Sequence, residues 1–200
     1  MEQYVITISR QFGSMGRSIA RELSEILGIE FLDRDIVEAT AKRMGLPVSV
    51  ISDEEESMKS TFFRRQYPLG MGMSSLKDEI FLTQKNIIRD FAAKGSCIIV
   101  GRCADYILRE HPRCANVFIS ASKEDRIARL CAMHHIDAEA AEEMIEKADK
   151  RRSEYYNYYS YKTWGAAATY HLCIDSSSLG IEETVRFIEE FVAKKLQLRF

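Results

Sequence analysis

The stretch SRQFGSMGRSIA, residues 9–20, sits between an apolar run and a helical pattern. Its glycines and small residues can turn backbone N–H groups toward an anion at a helix start. Gly13, Ser14, Met15 and Gly16 are the candidates for that cradle, Arg17 for its positive charge, and Ser18 for a hydroxyl ligand to Mg²⁺. Aligned on Gly16-Arg17-Ser18, the phosphate-loop pattern G-x-x-x-x-G-K-[ST] calls for glycine at Gln11 and lysine at Arg17. Two signature positions therefore depart from the pattern. Arginine also brings a planar fork where lysine brings a point charge. Taken alone, the stretch is either a phosphate cradle or a glycine-rich turn.

Other groups have the chemistry to complete such a site. Asp33-Arg34-Asp35 follows a short apolar run, where an acceptor would lie at the edge of an α/β sheet. A helix N-cap with solvated charges is the plainer reading. Gly101-Arg102 follows the most apolar run of the chain, and an arginine there can grip a phosphate or merely cap a turn. Lys147, Lys150 and Arg151 share one helical face, with Arg152 beside them. That basic face can close over transferring phosphates, or lie solvated and balanced by Glu142, Glu143 and Glu146. The tyrosines from Tyr155 to Tyr161, with Trp164, can stack on a base, although so dense a cluster more often packs one element on another. Asp175, Ser176 and Ser177 end an apolar run, where their backbone can approach a purine ring or cap a helix before Gly180.

Positioning these groups falls to an alternation of apolar runs and helical patterns. Tyr4–Ile8, Glu30–Asp33, Ser96–Gly101, Val117–Ile119 and Tyr170–Asp175 read as short buried strands. Helical spacing runs from Gly16 to a stop at Gly28, then over Ile36–Met44, Leu76–Ala93, from Ser122 through Leu130, Ala138–Tyr159 and Gly180–Leu198. Ser122 with Asp125 makes a capping-box-like start. Glu182-Glu183 early and Lys194-Lys195 late suit the dipole of the last helix. Fully apolar strands alternating with helices call for a parallel sheet covered on both faces. Residues 48–75 break the pattern with Asp53–Glu56, Phe62-Phe63-Arg64-Arg65 and LGMGMSS. They read either as a partly helical inserted lobe or as a solvated loop.

Composition narrows the classes. The 200 residues, 46% hydrophobic and 29% charged, suit one domain with room for a mobile part. A net charge of −2 gives no reason to expect nucleic acid or membrane as a partner. No apolar run approaches the roughly 20 residues of a membrane span, and the N-terminus lacks a signal-peptide pattern. Five scattered cysteines without a C-x-x-C pair argue against a zinc site and fit a reducing cytoplasm.

Together the segments ITISRQFGSMGRSIARELSEILGIEFLDRDIV, IIVGRCADYIL, DKRRSEYYNYYSYKTWG and YHLCIDSSSLGIEETV resemble the cytidylate kinase-like family of P-loop kinases, in its short, divergent branch. They occur in family order and reach from residue 4 to about 190. The resemblance implies a three-layer α/β/α P-loop kinase fold with a helical acceptor-binding lobe (34–95) and a helical lid (137–168). It implies ATP and Mg²⁺ as cofactors, with phosphoryl transfer to a nucleoside monophosphate, CMP first. Gly13 to Ser18 would then hold the ATP phosphates, with Arg17 in the place of the loop lysine. Asp33 and Asp35 would lie near the acceptor, and Arg102 matches an arginine that grips its phosphate. Lys150, Arg151 and Arg152 would clamp the transferring group, and Asp175, Ser176 and Ser177 would approach adenine. The base-reading residues of cytidylate kinases have no recognisable counterpart here, which leaves the acceptor open to another small molecule. The arginine at position 17 leaves open a nucleotide-binding regulator with weak turnover.

Overall fold

The computed structural model describes residues 3–56 and 76–198. Five parallel strands form one sheet in the order β2-β3-β1-β4-β5. They are β1 (Val5–Arg10), β2 (Glu30–Leu32), β3 (Cys97–Val100), β4 (Cys114–Ser120) and β5 (Leu172–Asp175). Helices α1 (Gly16–Leu27), α2 (Arg34–Met44), α3 (Val48–Glu56), α4 (Leu76–Lys94) and α5 (Ala104–Ile107) connect the first four strands. Helices α6 (Lys123–His134) and α7 (Ala138–Ser160) join β4 to β5, and α8 (Ser176–Leu196) closes the chain.

β1 lies at the centre because both of its faces are apolar. Ile6 and Ile8 face one layer with Ile19 and Leu23 of α1 and Val185, Ile188 and Val192 of α8. Val5 faces the other with Ile36, Ile87, Ile88 and Ile99. Register sets Ile6 opposite Ile98 on β3 and Ala115 on β4. Each fully buried isoleucine contributes on the order of 1.5–3 kcal/mol, which makes this sheet a rigid floor. The chain leaves β1 toward β2 and β3 on one side and reaches β4 and β5 on the other. The crevice at the carboxyl ends of β1 and β3 is therefore the switch point where such folds bind ligands.

Several boundaries differ from the sequence expectation: β4 starts three residues before Val117, at Cys114, and β5 starts at Leu172 rather than Tyr170. β1 continues two residues past Ile8 to Arg10, because pairing with β4 runs on to Ile119. The helix expected from Gly180 is preceded by a short helical turn from Ser176. Asp175 caps that turn by accepting from the N–H groups of Ser177 and Ser178, and Gly180 sits at the kink between the two with φ 73°. Of the 48–75 segment, 48–56 is helical as α3; Phe62-Phe63-Arg64-Arg65 and LGMGMSS lie outside the described residues.

α6 and α7 form a hairpin with a small core of their own. Ser122 accepts from Asp125 N at 3.1 Å, as the capping pattern requires, and Asp137 caps α7 through Ala140 N at 2.8 Å. Leu130, Ala141 and Ile145 pack together there, with Phe12 from the β1–α1 loop against them. The far end of α7 rests on α4: Tyr159 stacks on Phe81 at 3.9 Å between centroids and Tyr155 meets the same ring edge-on. The tyrosine cluster thus packs element on element. Among the described residues no helix is long and apolar enough to cross a membrane.

Candidate functional site

The β1–α1 loop is held from three sides. Gln11, at the expected first-glycine position, bonds through its N–H to Ile119 O and through Oε1 to Ala121 N. Buried Ser14 donates its hydroxyl to Gln11 O at 2.9 Å. Ser176 Oγ lies 2.8 Å from Ser14 O and 3.1 Å from Ser120 O, bracing the loop from behind. Gly13 (φ 77°) and Met15 (φ 61°) adopt left-handed backbone, and Met15 is the N-cap of α1. The first-turn N–H groups of α1 have no partner within their helix and open at this loop.

Arginines from separate elements converge beside it. Arg17 Nε approaches Asp33 Oδ2 at 2.6 Å, and Arg102 Nη1 approaches Asp33 Oδ1 at 3.4 Å. Asp33 is buried, while the Arg17 side chain is 56% exposed. Arg102 is delivered by a turn in which Gly101, Arg102 and Cys103 all have positive φ. Arg152, from α7, donates to Arg10 O at 3.0 Å. Arg10 ends β1 and points into the same crevice. Burial, then Arg152, Arg102 and Arg17, push its guanidinium down to about 9, with Asp33 alone opposing. Burial also lowers Arg152, against the pull of Asp149 and Asp33. A cavity of about 280 Å³ opens between these groups, lined by Arg10, Arg102, Arg151 and Arg152 with Phe12, Tyr155 and Trp164.

Asp149 ties α7 to the loop. Its Oδ1 accepts from Phe12 N at 2.7 Å, and its Oδ2 pairs with Arg126 Nη1 at 2.5 Å. Arg126 Nη1 also reaches Phe12 O, and Arg129 Nη1 reaches Gly13 O. Lys123 takes Glu142 and Glu146, so those acids do not neutralise the arginines of α7.

The fold therefore brings Arg102, Arg151 and Arg152 to one crevice, with Asp33 joined to it through Arg102 and Arg17 joined through Asp33. It does not bring every expected residue. Lys150 is exposed and outside the cavity lining, on the opposite side of the helix from Arg152. Asp35 is exposed in the first turn of α2, where its carboxylate accepts from Asp33 N at 3.5 Å. Asp175 is occupied as a helix cap, and Ser177 Oγ accepts from Ser122 N. Ser18 is exposed on the first turn of α1, next to Arg17. Arg10 and Asp149 escaped the sequence reading. The signal for Arg10 was a charged residue closing an apolar strand; that for Asp149 was its place at the head of the basic run.

Comparison with solved structures places this architecture. An uncharacterized protein from Eubacterium ventriosum superposes with TM-score 0.73 at 27% identity, over 95% of this chain and 98% of that one. A shikimate kinase from Bacteroides thetaiotaomicron gives TM-score 0.58 at 12% identity, over 98% and 100%. A gluconokinase from Sinorhizobium meliloti gives 0.59 at 15%, over 98% and 94%. The fold is thus that of the P-loop kinases, an α/β class with a parallel central sheet. The family model "Cytidylate kinase-like family" matches residues 5–178, and the chain belongs to that family. Fold and family together define a kinase-like phosphotransferase. No curated protein matches.

Proposed function

We propose that the protein transfers the γ-phosphoryl group of ATP to a nucleoside monophosphate, with CMP the first candidate acceptor. The observation that carries this is the convergence of arginines from β1, the β3–α5 turn and α7 on a crevice beside the glycine loop, with Arg17 of α1 joined to it through Asp33. Phosphoryl transfer asks for little covalent chemistry and much positioning and charge neutralisation. In this reading residues 34–95 are the acceptor-binding lobe and 137–168 the lid. The loop Gly13–Ser18 holds the ATP phosphates, and Arg17 stands for the loop lysine. Asp33 orients Arg17 and Arg102; Arg102 grips the acceptor phosphate; Arg151 and Arg152 meet charge developing on the transferred group. Phe12, Tyr155 and Trp164 wall the cavity against water, which would otherwise take the phosphoryl group.

Among the described residues no three of His, Cys, Asp or Glu gather as a metal cage. The Ser18 hydroxyl, exposed on the first turn of α1, is the protein group that would ligate Mg²⁺ carried on nucleotide phosphates. Bound there, Mg²⁺ neutralises phosphate charge. Five unpaired cysteines, three of them buried, suit a reducing cytoplasm as the compartment. Asp33 favours a second reading, an acceptor hydroxyl in place of a phosphate, because a carboxylate at the crevice can take its proton. The test is a transfer screen with ATP–Mg²⁺ and CMP, dCMP, UMP, AMP and small hydroxylated metabolites, with Arg17→Ala as control. CMP turnover that collapses in Arg17→Ala is the expected result. Nucleotide binding without turnover of any acceptor would instead make the protein a regulator. Turnover that survives Arg17→Ala would refute the role of that residue.

A further inference from the structure

The Arg10 guanidinium makes no hydrogen bond or ion pair with the loop or with Asp33, although Asp33 acts on it through space. Both oxygens of Asp33 are engaged, Oδ2 by Arg17 and Oδ1 by Arg102. Arg17, Arg102 and Arg152 all act on the Arg10 guanidinium, with Asp33 as the carboxylate that opposes them there, while Asp149 pulls on Arg152 and is held by Arg126 and Phe12 N. Two glycines from separate segments also leave room for this one side chain. A Cβ on Gly16 would lie 2.6 Å from Arg10 Cβ, and one on Gly101 would overlap Arg10 Nη1. Arg10 lines the cavity from the rigid end of β1, whereas Arg17 is more than half exposed and leans on Asp33.

We infer that Arg10 is a phosphate-contacting residue of this site, binding oxygens of the phosphoryl group in transfer and supplying the inward charge that Arg17 directs to Asp33. The inference rests on the kinase reading for its role but not for its test. A planar fork at the end of a strand is fixed in direction and suits a phosphate's oxygens two at a time. An anion there would also relieve the crowding of like charges.

The test follows the Nε–Hε signals of arginine in ¹⁵N-labelled full-length protein, titrated with inorganic pyrophosphate at constant ionic strength. The Arg10 signal, assigned through its own couplings and by its loss in Arg10→Lys, is expected to shift saturably. Arg10→Lys is expected to bind pyrophosphate about tenfold more weakly. With ATP–Mg²⁺ and whichever acceptor turns over, Arg10→Met is expected to lose about 10²-fold in kcat/KM. The inference is overturned if pyrophosphate at millimolar concentration does not bind, or binds without moving Arg10. It is also overturned if Arg10→Met keeps kcat/KM within about threefold of the unsubstituted protein. Failure of the kinase reading shows differently, as no turnover of any acceptor while pyrophosphate still shifts Arg10. The wild-type titration needs no variant to fold.

Discussion

Arg102 holds its guanidinium toward Asp33 from a backbone that L-residues avoid. With φ 51°, beside Cys103 at 53°, it sits in left-handed space costing roughly 1–2 kcal/mol for a residue with a Cβ. Arg102→Gly releases that strain and one of the crowded charges. The variant is expected to keep or raise its urea midpoint while kcat/KM falls about 10²-fold. A clear drop in the midpoint would show that Arg102 is there for stability. Asp105 offers a test in pH. It is buried, accepts from Tyr156 Oη at 2.5 Å, and burial raises its carboxyl above the ordinary range despite that bond. An acid raised in the fold takes up its proton before the unfolded chain does. Its burden on stability is therefore full above the folded pKa and fades as pH falls toward the unfolded value near 4. Asp105→Asn keeps an acceptor for Tyr156 without the charge. Its stability gain should be largest at neutral pH and shrink toward pH 4 in urea titrations; a gain independent of pH would contradict this account.

At the scale of elements, Asp149 ties the β1–α1 loop to α7. Removing one partner of a part-buried pair leaves the other charge stranded, which costs on the order of 3–5 kcal/mol. Asp149→Ala is expected to lose most of that, because Arg126 and Phe12 N both lose their acceptor. Arg126→Met with Asp149→Leu should recover much of the stability and none of the loop geometry. Urea midpoints check the first part and ATP–Mg²⁺ affinity the second. These elements also mark where sequence reading succeeds and stops. Strands buried on both faces announce themselves as apolar runs such as Cys97–Val100, and helices by local spacing and caps such as Ser122 to Asp125. Those signals lie within a few residues. The site does not. Phe12 and Asp149 are separated by 137 positions, and Arg102 and Asp33 by 69, so only the folded sheet reveals the pairs. Arg10 was hidden for a further reason: β1 runs past its apolar letters because β4 goes on offering hydrogen bonds. Lys150 misled in the opposite way, since a run of basic letters does not say which of them a helix turns inward.

The whole molecule couples these parts through charge. The chain is slightly acidic overall, with net charge −2, yet it concentrates arginines around one crevice. Self-repulsion there opposes folding until an anion arrives, so nucleotide should stabilise the protein strongly. At a hundredfold excess over Kd, ligand linkage contributes about 2.7 kcal/mol. For a domain of this size that corresponds to a rise in Tm of roughly 5–10 °C. The rise should exceed that from chloride at matched ionic strength, because screening weakens repulsion without bridging the guanidiniums. Its distribution is equally telling. Hydrogen exchange should slow in residues 10–18 and across α6 and α7, which meet the loop through Asp149, Arg126 and Arg129. β3 and β4, already sealed on both faces, should change little. Protection confined to the loop, with α6 and α7 unaffected, would mean that the hairpin does not respond to nucleotide and that residues 137–168 are no lid.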